Sequence, residues 1–164
     1  MEYDKLIRER YSCRNFNGKP VEKNKIDKIL EAGRIAPTAK NLQAFKIYVT
    51  EDKAKIDSVT NYRYGAPLCM IICGDKENDF KKGNHSYSDI DASIIATHMM
   101  LEASNLEIDN IWVGLFDDNE VKEVFDISDN YIPVGMLMFG YSNDKHMSRL
   151  HSNRKETNEL VEYR

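Results

Sequence analysis

The sequence predicts a single α/β domain, because helical and strand patterns alternate along its length. Its 164 residues suffice for one domain with a sizeable core and are too few for two ordinary ones. No internal repeat, low-complexity block or Gly/Ser/Pro-rich linker divides the chain. By the general rules of topology, this alternation favours a parallel sheet flanked by helices.

The first part of the chain predicts two helices and a loop. We expect one helix over residues 2–10 and a second over residues 22–33, where Ile26, Ile29 and Leu30 recur at helical spacing. The following stretch, IAPTAKNLQ, contains a proline and too few apolar residues for a regular element. We interpret it as a functional loop or a broken helix.

Strands and helices alternate in the remainder. The predicted strands are 44–50, 68–74, 110–116 and 132–141, and the predicted helices are 51–59, 86–105 and one that Asp117 caps. The helix over 86–105 is apolar on most sides, which is typical of the buried spine of a domain. The polar segment 142–164 cannot fold alone, so we expect it to fray or to lie over another surface such as a partner subunit.

The charge distribution limits the classes of partner. A formal net charge of −4 argues against a general nucleic-acid-binding protein. Residues 1–55 carry 13 Lys and Arg against 8 Asp and Glu, whereas residues 56–164 carry 10 against 19. An anionic ligand would therefore meet the N-terminal third first, and an uneven solvated surface is the alternative explanation.

Other classes lack their usual signals. No apolar run approaches the ~18 residues of a membrane span, and the charged start MEYDKLIRER is unlike a secretory signal, so we expect a cytoplasmic protein without a membrane partner. Cys13, Cys69 and Cys73 show no CxxC spacing, and the four histidines form no metal motif. We therefore expect no disulfide framework and no metal.

Three motifs could carry chemistry. In RYSCRNF, the residues Arg10, Ser12 and Arg14 alternate, so an extended backbone would project all three to one side, where they would suit a phosphate. A solvated basic turn is the alternative. In PTAKNLQAF, the side chains of Thr38, Asn41 and Gln43 offer donors and acceptors that suit the edge of a heterocycle, and an ordinary polar connection is the alternative.

The third motif, NIWVGLFDD, contains the only tryptophan, Trp112, and places Gly114 in an otherwise apolar strand end. A glycine there often marks a close approach of the backbone to a ligand or another chain. A bulge or packing glycine is the alternative, and a single tryptophan is more often a core residue than a cofactor platform.

Taken together, the motifs resemble the FMN-dependent nitroreductase family over nearly the whole chain. RYSCRNF is similar to the family's R-x-S-x-R-x-F, and EAGRIAPTAKNLQAFKIYV to its A-x-x-A-P-S-x-x-N-x-Q-P-W. GAPLCMIICGD and DIDASIIATHMMLEASN resemble a central strand and the dimer helix, and LHSNRKETNELVEY resembles the terminal R-K-P-x-x-E-x-V. IWVGLFDDNEVKEVFDI and YIPVGMLMFGY complete the likeness.

The resemblance changes the expected fold from parallel α/β to α+β. It implies a three-layer α/β/α sandwich with a mainly antiparallel central sheet, built as an intertwined homodimer. Residues 1–164 would form a single FMN-binding domain, with 142–164 as an arm that extends toward the partner subunit. The apolar helix over 86–105 would then be a dimer interface.

The resemblance also implies roles for the basic motif. Arg10 and Ser12 would hold the FMN phosphate, with Tyr11 between them in the same cofactor-binding segment. Arg14 would reach the N1/O2 edge of the flavin, where a guanidinium stabilises the negative charge that reduction leaves. Arg154 matches the C-terminal arginine that closes over the phosphate.

Two further segments match cofactor-binding parts of the family. One, which the other subunit contributes, comprises Pro37, Thr38, Ala39, Asn41 and Gln43. The other is the strand end beside the ring, comprising Trp112, Val113, Gly114 and Leu115, where a backbone N–H can contact flavin N5. Gly114 and Arg14 would tune the flavin electronically, and no side chain is expected to act as a catalytic nucleophile or general acid.

Several residues depart from the family pattern. Thr38 and Ala39 replace small serines, and the pair 44–45 is Ala-Phe instead of Pro-Trp, so the substrate-side wall is expected to differ. The pair 155–156 is Lys-Glu instead of Lys-Pro, and Arg63 is the candidate stand-in for a polar residue before the second strand. The chain also lacks an inserted lid segment, which implies an open, permissive pocket.

The expected function is that of an NAD(P)H-dependent FMN oxidoreductase. Hydride would pass from NAD(P)H to flavin N5 and then, by a ping-pong cycle, to a small nitroaromatic or quinone-like acceptor. The alternatives are a specialised flavin enzyme of the same fold, for reductive dehalogenation or flavin destruction, and a non-catalytic flavin-binding sensor or carrier.

Overall fold

The computed structural model describes residues 2–164, which form six helices and two antiparallel sheets. The helices are α1 (Tyr3–Glu9), α2 (Lys23–Arg34), α3 (Lys53–Val59), α4 (Ser88–Asn105), α5 (Asp118–Phe125) and α6 (Thr157–Leu160). The strands are β1 (Phe45–Thr50), β2 (Leu68–Asp75), β3 (Lys81–Lys82), β4 (His85–Ser86), β5 (Asp109–Val113) and β6 (Tyr131–Gly140). Each predicted helix and strand is present, with ends shifted by at most a few residues.

The main sheet has the order β1-β2-β6-β5, and all of its neighbouring strands pair antiparallel. The expectation of a parallel sheet from simple alternation is therefore wrong, and the antiparallel α+β fold implied by the resemblance is confirmed. The reason is that α3 and α5 each join strands that run in opposite directions. Alternation of helix and strand patterns alone does not fix strand direction.

Two hydrophobic cores use alternate residues of β2, which is buried along its whole length. Leu68, Met70 and Ile72 pack with α2 and α4, whereas Cys69 and Ile71 pack with α3 and α5. Because successive strand residues point to opposite faces, the two groups of helices cover the sheet from both sides. The three cysteines are free and buried.

The helix α4 is the predicted spine. Eight of its 18 residues are buried, among them Ala92, Ile95 and Met99. Its opposite side is open, since Ile90 is exposed to 41% and Ile94 is only partly buried. The helix therefore buries one side in its own chain and leaves apolar side chains on the other.

The chain between β2 and α4 holds a short hairpin of β3 and β4 that sequence patterns did not predict. Segment 142–164 has a 3-10 turn at Arg149–His151 and the single-turn helix α6, and most of its residues are exposed. Its first part lies against its own chain, because His151 Nε2 is 2.9 Å from the Arg8 carbonyl oxygen.

Candidate functional site

The basic segment 10–14 has the extended, alternating geometry that its sequence predicts. Tyr11 and Cys13 are buried, whereas the side chains of Arg10, Ser12 and Arg14 lie on the outer side with partial or full exposure. The Cys13 N–H donates to the Asn110 carbonyl at 3.0 Å, which aligns the segment with the start of β5. The three polar side chains therefore share one side, as expected.

A partly buried hydrogen-bond network supports this segment on its core side. The Tyr11 hydroxyl lies 3.1 Å from Ser142 Oγ, which in turn donates to Asp109 Oδ2 at 2.7 Å. Burial raises the pKa of Tyr11, so its hydroxyl stays protonated. Tyr11 therefore supports the segment from the core side, while Arg10 and Ser12 are left free to face a ligand.

A cavity of about 120 Å³ lies in front of the segment, and we call it the anion pocket. It is lined by Arg10, Tyr11, Ser12, Arg14, Ser148, Leu150, His151 and Arg154. The lining contains three guanidinium groups and two serine hydroxyls but no carboxylate. Segment 10–14 and the C-terminal segment, which are far apart in sequence, meet here as the resemblance implies.

The electrostatics of the anion pocket favour a negatively charged ligand. Burial and, next, the nearby Arg154 guanidinium lower the pKa of Arg10. Within residues 2–164, no ion pair joins Arg10, Arg14 or Arg154 to a carboxylate. Two like charges that face one cavity without a counter-ion are stabilised by a dianion such as a phosphate, to which arginines donate forked hydrogen bonds.

The Arg154 side chain is oriented by backbone carbonyl groups of the residues just before it. Its Nη1 donates to the Leu150 carbonyl at 2.9 Å and to the Asn153 carbonyl at 2.8 Å. These bonds leave the other guanidinium nitrogens for a ligand. The Arg14 side chain is exposed and makes only a weak bond from Nη1 to the Ser12 carbonyl at 3.3 Å, so it is free to reach outward.

The loop 37–43 has an unusual backbone. Lys40, Asn41 and Gln43 have φ angles of 51°, 55° and 53°, a left-handed conformation that non-glycine residues rarely adopt. The Gln43 N–H donates to Thr38 Oγ1 at 3.0 Å, and the Ala39 N–H donates to Asp91 Oδ1 at 2.9 Å. The loop is thus a defined structure rather than an ordinary polar connection.

The strand end at residues 112–115 differs from its prediction. β5 ends at Val113, so Gly114 follows the strand instead of lying within it, and the chain turns there toward the cap of α5. Trp112 is partly buried and packs on the core, where its ring occupies the space that a Cβ on Gly135 would take. The reading of Trp112 as a core residue therefore accounts for its position.

Gly114 itself is not required by packing within this chain. A Cβ there would meet only the Trp112 side chain, at an ordinary contact distance of 3.6 Å. Gly114 and Leu115 are exposed, and the Leu115 carbonyl accepts a hydrogen bond from Thr60 Oγ1 at 3.3 Å. The backbone at this strand end is therefore exposed. Packing within the chain does not require a glycine at position 114, so the alternative of a packing glycine is not supported.

Within residues 2–164, the loop 37–43 does not line the anion pocket and is bound near the opposite end of α4. The anion pocket and the strand end lie along the same strand, since Ser12 bridges to Asn110 and Gly114 follows four residues later, about 13 Å at 3.3 Å per residue. The loop 37–43, in contrast, is bound to Asp91 near the start of α4, whereas Asn110 Nδ2 donates to Ser104 Oγ near its end. At 1.5 Å per helical residue, those two points are about 20 Å apart.

Arg63 is committed to another partner. Its Nε donates to Asp57 Oδ1 at 2.5 Å and its Nη2 to Asp57 Oδ2 at 2.7 Å. This pairing raises the pKa of Arg63. Sequence patterns did not reveal Ser148, His151 or Asp91 as residues of these segments, although the carboxylate of Asp91 is conspicuous in an apolar helix.

No group of three or more potential metal ligands occurs within the described range 2–164. In the same range, every helix is too short or too polar to cross a membrane.

Comparison with known proteins connects these features. The sequence model of the nitroreductase family matches residues 7–65 and 62–141. A nitroreductase family protein of Clostridium difficile 630 is 35% identical, with a TM-score of 0.93 over 99% of this chain and 98% of that one. An FMN-dependent nitroreductase of Clostridium difficile R20291 is 25% identical, with a TM-score of 0.83 over 98% of both chains.

A candidate NAD(P)H nitroreductase of Bacillus subtilis strain 168, MhqN, is 27% identical, and the match covers 99% of this chain and 98% of that protein. This alignment spans 205 positions, which exceeds the 164 residues of the chain. The chain is therefore shorter than this relative by internal segments.

Proposed function

Since this chain belongs to the nitroreductase family, we propose that it is an FMN-containing oxidoreductase that uses NAD(P)H to reduce small nitroaromatic or quinone-like acceptors. The observation that carries the proposal is the anion pocket, where Arg10 and Arg154 face one cavity that no carboxylate lines. The relative described as FMN-dependent shares this fold over nearly its whole length.

The residues of the anion pocket fit the phosphate of FMN. Two guanidinium groups can offset its charge, and the hydroxyls of Ser12 and Ser148 can donate further hydrogen bonds. Tyr11 holds the segment through Ser142 and Asp109, so Arg10 and Ser12 need little rearrangement on binding. Such preorganisation favours affinity because less conformational entropy is lost.

The strand end fits a flat ring that lies beside exposed backbone. Gly114 lacks a side chain that would hold the ring away, and the backbone N–H groups of Gly114 and Leu115 are the donors proposed for flavin N5. FMN bound there would supply the hydride-transfer chemistry between the nicotinamide and the acceptor. Arg14 is exposed, which leaves its guanidinium available to stabilise negative charge at the N1/O2 edge.

The remaining part of the site is proposed to come from a second copy of the chain. The residues Pro37, Thr38, Ala39, Asn41 and Gln43 belong to a loop bound to Asp91, about 20 Å along α4 from Ser104, which lies at the end of the helix near the anion pocket. This separation supports their contribution to the site of another copy. The outer side of α4 carries Ile90, Ile94, Thr97 and His98 along an open groove. We propose that this side forms an intertwined homodimer of three-layer α/β/α subunits. In that dimer, segment 142–164 would run past the anion pocket of its own chain, where Arg154 lies, and then on as an arm toward the partner.

The proposal favours a permissive enzyme over a specialised one. The 205-position alignment with MhqN indicates that this chain lacks internal segments that the relative possesses. A site without such segments admits acceptors of varied shape, whereas reductive dehalogenation or flavin destruction requires closer enclosure of one substrate.

The direct test is an anaerobic titration of the purified protein. We expect a yellow protein whose flavin absorbance bleaches with NADH or NADPH and returns on addition of a nitroaromatic or a quinone. Failure to take up FMN would refute the proposal. Bleaching and reoxidation without turnover on any acceptor in a steady-state panel would instead favour the sensor or carrier.

A further inference from the structure

We propose that Asp91, in the first turn of α4, is a positioning residue that holds the loop 37–43 in the conformation required for flavin binding. This inference rests on the proposed function. Asp91 lies in the buried part of the helix between the loop and the core, and it is 1% exposed. Neither the sequence motifs nor the resemblance gives it a role.

The loop needs an external restraint because its backbone is strained. Three of its residues, Lys40, Asn41 and Gln43, have positive φ angles although none is glycine. Conformations of this kind persist only where surrounding structure holds them in place. In free solution, the same segment would relax to other conformations.

Hydrogen bonds inside the loop fix its shape but not its position. The Asn41 N–H donates to the Thr38 carbonyl at 2.9 Å, and the Gln43 N–H donates to Thr38 Oγ1 at 3.0 Å. All of these groups belong to the loop, so they would move together. Its placement depends on bonds to other elements.

Asp91 supplies the side-chain acceptor among those attachments. Its Oδ1 accepts the Ala39 N–H at 2.9 Å, immediately before the strained residues. Other attachments are the contact of Lys40 Nζ with the Phe80 ring, 4.4 Å from its centroid, and the Phe45 N–H bond to the Gln43 carbonyl at the end of the loop. The bond to Asp91 is the hydrogen bond that joins the loop to α4, so we expect it to set the position of Ala39.

The buried side chain of Asp91 lowers the stability of the fold, and this favours a functional role for it. Within the described chain, its Oδ2 is buried and has no hydrogen-bond partner. A buried carboxylate with an unsatisfied oxygen destabilises a fold. Asp91 therefore does not serve mainly to stabilise the fold. Its one well-formed side-chain bond, to the Ala39 N–H, is better explained by the position that it gives the loop.

The helix gives Asp91 a rigid base. Its neighbours Ala92, Ile95 and Ala96 are fully buried in the core that α4 forms with the sheet. The opposite side of α4 is the proposed dimer interface. Asp91 would therefore fix the position of the loop relative to the partner subunit, whose flavin the loop is proposed to contact. A shift of the loop would change its contacts with that flavin.

The test compares three variants of the chain. Asp91→Ala removes the acceptor, and Asp91→Asn retains an oxygen that can accept from Ala39. The control Asp4→Asn removes a charge from an exposed position in the first turn of another helix, α1. We measure the FMN dissociation constant by fluorescence titration. Hydrogen–deuterium exchange of the amides in 37–43, in protein without FMN, gives a second readout that does not depend on the cofactor.

We expect Asp91→Ala to raise the FMN dissociation constant about tenfold and to accelerate exchange at Ala39 about tenfold, as for the loss of one hydrogen bond. Asp91→Asn should stay within about threefold of wild type on both measures, and Asp4→Asn should match wild type. A thermal melt identifies any variant that fails to fold. If Asp91→Ala does not fold, the proposal is tested on Asp91→Asn alone, by comparing its FMN dissociation constant and its exchange at Ala39 with those of the wild type.

Unchanged exchange in a folded Asp91→Ala protein would overturn the proposal, since the loop would not depend on this residue. Faster exchange with an unchanged FMN dissociation constant would overturn its role in flavin positioning. If wild-type protein bound no FMN, the proposed function would fail, and the exchange measurement would still show whether Asp91 holds the loop.

Discussion

The basic segment 10–14 and the loop 37–43 are both polar stretches that follow helices, yet the fold uses them in different ways. Segment 10–14 is pinned to β5 through the Cys13 N–H bond to Asn110 at 3.0 Å, and its outward side chains face a cavity that the chain's own C-terminal segment closes. The loop is strained at three residues, and most of its side chains are exposed.

The difference bears on how the proposed site is divided between chains. The anion pocket has its cations, its hydroxyls and its supporting hydrogen bonds in one chain. The loop is bound to Asp91, and none of its residues lines the anion pocket. An ordered polar loop of this kind is explained if a second subunit supplies the ligand that it contacts.

The largest expected effect comes from mixing two inactive variants. Arg10→Ala damages the anion pocket, and the double variant Asn41→Asp with Gln43→Glu places carboxylates on the loop while keeping side-chain shape. After subunit exchange, half of the dimers would be mixed and would each hold one intact site. Activity should then rise from almost none to about a quarter of wild type, measured at FMN concentrations that saturate only the wild-type protein.

The matched control mixes Arg10→Ala with Arg154→Ala. Both residues line the same pocket of one chain, so every mixed dimer would have two damaged sites and should regain nothing. If the loop variant and Arg10→Ala also failed to complement, although size exclusion showed mixed dimers, the proposed division of the site between subunits would be wrong.

The next largest effect is expected from a single substitution in the anion pocket, which should weaken FMN binding. Arg10→Ala removes a charge-assisted, forked contact to a phosphate, so we expect the FMN dissociation constant to rise about 10- to 100-fold. Arg8→Ala removes the same charge from α1, where the side chain is exposed and does not line the pocket, and should change affinity less than twofold. Equal losses in the two variants would mean that general charge, and not the pocket, binds the cofactor.

Sequence patterns predicted the anion pocket better than the loop because its geometry is local. Alternation in RYSCRNF suffices to place Arg10, Ser12 and Arg14 on one side of an extended segment, and the structure confirms this. Arg154 could be connected to the same pocket only through the family resemblance. A contact between residues this far apart in sequence has no periodic signal.

Other features depend on tertiary contacts that single-sequence patterns do not carry. Alternation of elements predicted the strand direction wrongly, because helix and strand periodicity is the same in parallel and antiparallel arrangements, whereas the family resemblance predicted the antiparallel sheet correctly. The hairpin at Lys81–Ser86 was missed because its strands have two residues each and no apolar alternation. Asp91 was missed because its partner is the backbone N–H of Ala39, a group that nearly every residue possesses and that leaves no signal in the sequence.

The smallest effect on binding is expected at Arg14, which separates holding the cofactor from tuning it. Arg14 is exposed and makes only a 3.3 Å bond to the Ser12 carbonyl, so its removal should change the FMN dissociation constant less than about threefold. If its guanidinium stabilises charge at the N1/O2 edge, Arg14→Ala should slow anaerobic reduction by NAD(P)H about tenfold and lower the two-electron midpoint potential by about 30 mV.

The control is Arg14→Lys, which keeps the charge without the forked donors of arginine and should give values between those of the wild type and Arg14→Ala. A variant that bound FMN poorly but was reduced at the normal rate would instead place Arg14 with Arg10 at the phosphate, and the electronic tuning would then have to come from the backbone at Gly114 alone.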